Sequence, residues 1–575
     1  MMYFKCFKKY IPIALLGIFC MGFVAFLELN QIDYMGKIID EGIANKDINI
    51  VLTNGFIMVI YAVVAAISGI IASVCAAYSS GGFAQNLRET VYSKVQGFSV
   101  KNVSRFQTAS LVTRLTNDIN YLQLTIMQTL RLGIRAPMLL VTSLMLIYKS
   151  SPAVSTYVLI PIALLAVCLS IILFKGYPLF SVVQKQLDKL NQKVQEGLIN
   201  IRVIKSFVRE DFEDGRFSNA NEEFKEINVR AHSLMMLIHP TMMLCLNIAT
   251  ILLLYVCSSF VLINHTLAVG NVVVILNYVR FALFSLNMLS MIITMMSRSR
   301  ASVERINEVM AVKESVTNAL NLIEINEVLG KITFENVSFK YYDEQTLYTL
   351  NDLDFSINPG ERFGIIGSTG SGKSTLINLI GRLIDPTQGS VKLDDIDIKD
   401  IDIHQLRAHL GFVPQKNVLF SGTIRENLKL GNALASDEEM KEAARIANID
   451  AFIESLPEGY DSLVSQGGTN FSGGQKQRLC LARALIIKPR ILIMDDSTSA
   501  LDADTESRIM NALENELPEM TVISIAQKVS SVASCNRIMV INDGIISAID
   551  NHQNLLNTNE IYQEIYNSQL QKGAA

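Results

Sequence analysis

The chain has 575 residues, half of them hydrophobic and only 18% charged, with a formal net charge of −4. That length exceeds what one hydrophobic core supports, so two or more domains are expected. The charged fraction lies below the roughly 25% of ordinary soluble domains, and the negative balance argues against a nucleic-acid partner.

Hydrophobicity is segregated along the chain. Long apolar runs fill about the first 300 residues, and the remainder reads as a soluble α/β protein. A membrane helix needs about 20 predominantly apolar residues. Six stretches meet this requirement: 11–31, 56–77, 126–148, 153–174, 237–263 and 269–296. The first lacks a small-residue cleavage site and reads as a retained span, not a signal peptide. Ahead of it, residues 3–10 mix aromatics and lysines as an interfacial helix does.

The connector between spans two and three carries Arg88, Lys94, Lys101, Arg105 and Arg114. The one between spans four and five is basic from Lys185 to Arg230. Basic connectors stay in the cytoplasm, which predicts a multi-pass protein of the cytoplasmic membrane with both termini inside. Short or acidic connectors, the latter around Asp33, Asp40 and Glu41, are then external. Helical periodicity in the basic connectors predicts that the membrane helices run well past the bilayer.

Glu28, Arg131, Arg135 and Arg280 fall within spans, where charge is expensive. Pairing or snorkelling is the simpler expectation, and substrate contact the sharper one. Methionines 235, 236, 242, 243, 288, 291, 295 and 296 crowd spans five and six, as packing residues or as an adaptable cavity wall. The eight cysteines form no CxxC pair, which predicts free thiols and no metal site built on them.

The apolar runs stop after Met310. Residues 1–312 are expected to form the membrane domain, 313–329 a linker, and 330–575 a soluble domain. Within the last lies Gly367-Ser368-Thr369-Gly370-Ser371-Gly372-Lys373-Ser374-Thr375, a phosphate-loop pattern. A short strand over 362–366 and a helix over 375–383 are expected to flank it. Backbone N–H groups of such a loop cradle phosphate at a helix start. Lys373 would reach the β- and γ-phosphates of ATP, and Ser374 would offer an oxygen to Mg2+. The apolar run 491–494 reads as a buried parallel strand that delivers Asp495 and Asp496 at its carboxyl end, Asp495 being the expected Mg2+ holder.

A third motif narrows the family. Phe471-Ser472-Gly473-Gly474-Gln475 resembles the signature of ABC ATPases, and Lys476-Gln477-Arg478 follows it as is usual there. The resemblance implies two ATPase domains meeting head to tail, with Ser472, Gly473, Gly474 and Gln475 completing the ATP site of a partner chain. It further implies that Tyr341 stacks on adenine, that Gln415 links Mg2+ and the nucleophilic water to the membrane domain, and that Ser499-Ala-Leu-Asp502 crosses the dimer interface. In the first half, 110–118 and 196–210 resemble the two coupling segments of type IV exporters, and 297–305 the exit from helix six. The implied fold is an all-α six-helix transmembrane domain with long cytoplasmic extensions, fused to an α/β P-loop ATPase domain.

Two positions depart from that family. The acid after Asp495 is Asp496 where glutamate is usual, and Gln527 stands where histidine is usual. Aspartate is one methylene shorter, which withdraws its carboxylate by about 1.5 Å, and about 1 Å of misplacement can lower a rate about 100-fold. Glutamine cannot carry histidine's positive charge. The expectation is a site that binds ATP and hydrolyses it poorly, in a heterodimer whose second half-exporter carries the glutamate and histidine. Export of small hydrophobic or amphipathic molecules, drugs first among them, is the activity the resemblance implies. The alternatives are a slow homodimeric exporter, a lipid or peptide exporter, and an ATP-binding regulatory subunit. With no peptidase domain ahead of the first span, leader-peptide processing is disfavoured.

Overall fold

The computed structural model describes residues 2–573 except 263–266, 314, 320, 326, 343, 344, 498 and 499. Contacts divide the chain into two compact units: Met1–Lys94 with Ala109–Ala311, and Val95–Thr108 with Val312–Ala575.

The first unit is helical. Among the described residues, six helices are long and apolar enough to cross a membrane: α1 (Ile11–Ile43), α2 (Ile48–Gln96), α3 (Thr108–Ser150), α4 (Pro152–Ile199), α5 (Glu210–Leu262) and α6 (Val269–Ala311). They run from 33 to 53 residues. At 1.5 Å per residue that is about 50–80 Å, well over the roughly 30 Å hydrocarbon core. The helices therefore overshoot the bilayer, as the periodicity of the basic connectors predicts.

Asp33, Asp40 and Glu41 were expected in an external connector but lie inside α1, which continues to Ile43. Two of them have partners that hold them there. The Tyr278 hydroxyl donates to Asp33 at 2.5 Å, and the Gly270 N–H donates to Asp40 at 2.6 Å. A Cβ on Gly270 would lie 2.5 Å from the Gly36 carbonyl oxygen, so small residues let α1 and α6 approach closely. Two of the in-span charges also pair: Arg135 of α3 meets Glu28 of α1 at 2.6 Å. Arg280 is exposed on α6. Leu29, Leu139, Val158, Ala249 and Tyr278 belong to the core shared by α1 and α3 to α6, whereas the most apolar stretch of α2 is only 6% buried.

The segment 110–118 is fastened to the exit of α6. Asp118, only 3% exposed, accepts hydrogen bonds from Ser302 and from Nε of Arg305, each at 2.8 Å. Arg114 donates to the Arg305 carbonyl at 2.7 Å and pairs with Glu308 at 2.9 Å. Between α4 and α5 a short helix, Ile201–Ser206, buries none of its residues and leaves Ile201 and Val203 exposed.

The second unit contains twelve strands among the described residues: β1 (Ile332–Phe339), β2 (Leu350–Ile357), β3 (Arg362–Gly367), β4 (Gln388–Leu393), β5 (Ile396–Asp397), β6 (Leu410–Val413), β7 (Gly422–Thr423), β8 (Leu463–Val464), β9 (Ile491–Asp495), β10 (Thr521–Ile525), β11 (Arg537–Asn542) and β12 (Ile545–Asp550). One sheet has the order β2-β1-β4-β5 and is antiparallel. The larger has the order β12-β11-β3-β10-β9-β6, parallel except for the β11–β12 hairpin. Every residue of β9 is buried, as its unbroken apolar run predicts for a strand covered on both faces.

The helices of this unit include α7 (Lys373–Ile380), α8 (Gly473–Leu485), α9 (Ala503–Glu516) and α10 (Glu560–Gly573). The stretch 313–329 is anchored on the sheets of this unit. The Thr317 carbonyl accepts from the buried Arg382 at 2.8 Å, Asn318 donates to Asp402 at 2.7 Å, and Ile323 bridges Ile401. Val328 enters the core beneath β1.

Candidate active site

β3 ends at Gly367 and α7 begins at Lys373, so the loop between them is a tight strand-to-helix turn. The turn depends on glycine. Gly370 and Gly372 have φ of 87° and 101°, a region L-residues avoid. A Cβ on Gly372 would also fall 2.5 Å from Leu350, and one on Gly367 would strike the Ile541 carbonyl. The Lys373 ammonium donates to the Gly367 and Ser368 carbonyls at 2.8 and 2.7 Å. Burial pushes this ammonium below its ordinary value, against the pull of Asp495 and Asp496. The Ser371 hydroxyl is buried with no hydrogen-bond partner. The Tyr341 hydroxyl lies 3.1 Å from that of Thr375, and its ring meets Phe339 edge-on.

β9 delivers two carboxylates beside this loop. Asp495 is 7% exposed, and burial pushes its carboxyl up while a hydrogen bond from Ser374 pulls it back. Asp496 has left the strand. Its φ is 48°, and its N–H donates to the Ile525 carbonyl at 2.9 Å. Burial raises its carboxyl too, opposed first by a hydrogen bond from Gln415. Gln527, just beyond β10, donates from Nε2 to Asp496 Oδ2 at 2.9 Å. The fold thus gathers Gln415, Asp495, Asp496 and Gln527 around Lys373 and Ser374.

The signature residues sit elsewhere. Ser472 caps α8: its hydroxyl accepts from the Gln475 N–H at 3.3 Å, and Gln475 Oε1 accepts from the Ser472 N–H at 2.8 Å. Phe471 packs in a second core built on the helices, separate from the one beneath the phosphate loop. Ser472 and Gly473 are exposed. Gly474 lies against Ala500 and Leu501, and Gln477 accepts from the Ala500 N–H at 3.2 Å. Asp502 caps α9 through the Thr505 N–H. Ser499 lies outside the described residues.

One contact had no signal in the sequence. Gln569 of α10 donates to the Gln527 carbonyl at 2.8 Å and accepts from the Val529 N–H at 2.9 Å. A single side-chain amide clamps both sides of Lys528. Forty residues separate the partners, and no motif marks Gln569.

Comparison with known proteins agrees with this architecture. Residues 350–499 match the ABC transporter family, and residues 14–286 match the ABC transporter transmembrane region. The chain is 37% identical over 563 residues to an uncharacterized ABC transporter ATP-binding protein, YfiB, of Bacillus subtilis (strain 168), covering 98% of this chain and 97% of that one. It is 31% identical over 464 residues, 80% and 79% of the two chains, to YheI of the same organism, a probable multidrug resistance ABC transporter ATP-binding/permease protein. Its fold superposes on a bacterial Atm1-family ABC exporter with ATP bound at a TM-score of 0.81, with 23% identity over 98% of each chain. The chain belongs to the ABC transporter family: it is a multi-pass half-transporter in which one polypeptide joins the six-helix membrane region to the ATP-binding domain.

Proposed function

We propose that this half-transporter exports hydrophobic or amphipathic small molecules by alternating access, as the member of a heterodimer whose own ATP site binds nucleotide but hydrolyses it slowly. The observation that carries the reading is the Asp496–Gln527 pair. Both positions where hydrolysis chemistry is expected hold shortened or uncharged residues, and they are engaged with each other at 2.9 Å. The binding elements are kept.

The phosphate loop suits ATP: its glycines hold the turn, and the unpartnered Ser371 hydroxyl and the Lys373 ammonium are supplied for phosphate oxygens. Tyr341 would take the adenine face. Asp495, Ser374 and Gln415 offer the hard oxygen donors Mg2+ prefers, and the buried Asp495 carboxylate, hydrogen-bonded by Ser374 itself, suits a divalent cation. When bound, Mg2+ would neutralise charge developing on the phosphates. Ser472, Gly473, Gly474 and Gln475 would complete the ATP site of the partner chain, which carries glutamate and histidine. The exposure of Ser472 and Gly473 at the tip of α8 supports that role.

ATP binding would draw the two ATPase domains together, and the segments near Asp118 and Ile201–Ser206 would carry that closure to the membrane helices. The likeness to YheI, named as a multidrug resistance transporter, supports drugs as the first substrates to try.

The test compares the purified chain alone with the chain co-purified with a second half-transporter. Slow turnover alone, robust ATPase together, and substrate flux in vesicles only for the pair are the expected results. Robust turnover by the isolated chain would overturn the binding-grade site, and ATPase without flux would overturn export.

A further inference from the structure

Within the first unit a cavity of about 500 Å3 opens between α3, α4, α5 and α6. That volume suits a drug-sized ligand and is cramped for a two-chain lipid. Its walls include Phe180 of α4, His232 and Met235 of α5, and Met291, Met295 and Arg298 of α6. Among the described residues that line it there is no aspartate and no glutamate.

Two carboxylates elsewhere in the unit are matched by arginines. Glu28 is paired with Arg135, and Asp118 with Arg305. Arg298 has no carboxylate against it among the described residues. It lies over the face of Phe180, 5.1 Å from the ring centroid, and His232 meets the same ring edge-on at 5.6 Å. A guanidinium drawn over an aromatic ring by its charge still has N–H donors for a planar acceptor such as a carboxylate, sulfonate or phosphate. The flexible, polarizable methionine side chains beside it accommodate apolar bodies of varied shape. A lipophilic cation entering here would meet Arg298 with no carboxylate among the described lining residues to offset it.

We propose that this cavity binds amphipathic anions, the apolar or aromatic body against the methionines and the acidic head on Arg298. The inference rests on the export reading only in making such an anion the exported substrate; the binding itself stands apart from it. It separates acidic amphiphiles from the lipophilic cations that a purely apolar cavity would accept equally.

The test uses the full chain in phosphatidylcholine nanodiscs without ATP, titrated with an anionic aromatic probe, 1-anilinonaphthalene-8-sulfonate, and with a cationic one, rhodamine 6G, empty nanodiscs being subtracted. Saturable sulfonate binding is expected, weakened about tenfold or more by Arg298→Gln, the range a charge-assisted hydrogen bond spans, and only partly kept by Arg298→Lys, which retains the charge and loses the planar fork. Arg298→Glu should gain saturable rhodamine binding, which a misfolded protein could not show. Equal sulfonate affinity in wild type and Arg298→Gln would overturn the proposal, as would tighter rhodamine than sulfonate binding by wild type. Displacement of the sulfonate by phosphatidylglycerol added to the nanodisc would replace the soluble anion with a lipid and also overturn it. Charge-dependent binding without flux in vesicles would remove the export reading and leave this one; flux with binding indifferent to Arg298 would do the reverse.

Discussion

The side-chain amide of Gln527 donates to the Asp496 carboxylate at 2.9 Å, joining the two residues on which the proposed slow hydrolysis rests. Asp496 is also held by Gln415 and by its own N–H to Ile525. Its carboxylate is occupied on the protein side, and a further methylene would be needed to carry it outward.

Restoring both residues should therefore restore chemistry. Asp496→Glu with Gln527→His is expected to raise hydrolysis at this chain's own site by about 10- to 100-fold, the scale of a 1 Å correction in position. Single-turnover measurements on the assembled complex check it. Each single substitution should give less than the pair, because either one alone breaks the present contact without completing the new one.

Nucleotide binding should fail without the lysine. Lys373→Ala removes the ammonium that now caps the Gly367 and Ser368 carbonyls. Photolabelling of this chain by an azido-ATP is expected to fall about tenfold or more, a charged hydrogen bond being worth about 1.5–3 kcal/mol. The fold should be unchanged, since Lys373 is only half-buried.

The clamp from α10 predicts an effect of a residue far along the chain. In the Asp496→Glu, Gln527→His background, Gln569→Ala should lower kcat several-fold while leaving the KM for ATP unchanged, because it loosens the 527–529 loop and touches no binding element. Gln569→Glu, which keeps the acceptor for Val529 and loses the donor to residue 527, should fall between. A change in KM with kcat intact would contradict the clamp.

Two carboxylates at the α6 exit should differ in weight. Asp118→Ala strips a nearly buried acceptor from Ser302 and Arg305 and is expected to destabilise the unit by about 2 kcal/mol, the charge of Arg305 being partly screened by its exposure. Glu308→Gln alters a pair whose acid is 59% exposed and should change stability by under about 1 kcal/mol. Thermal unfolding of the two variants in one detergent compares them directly.

Much of the site was legible because its motifs are local. Gly367–Thr375 must curl at a strand end, so its glycines and lysine declare themselves in nine consecutive letters, and the buried run before Asp495 announces a covered strand. The six spans were equally plain from their apolar length. The limits of α1 were not, because Asp33 and Asp40 read as residues of a connector, whereas each lies within the helix and accepts a hydrogen bond from α6.

By itself, then, the sequence determined the two-part architecture and the phosphate loop. Each is written in contiguous residues whose local chemistry has few alternatives. Only the tertiary structure decided which side chains meet: Glu28 with Arg135, Asp118 with Arg305, Asp496 with Gln527, and Arg298 over Phe180, with no carboxylate opposite it among the described residues. Partner choice depends on which helix faces or strand ends meet, and residues from 31 to 187 positions apart carry no local sign of that meeting.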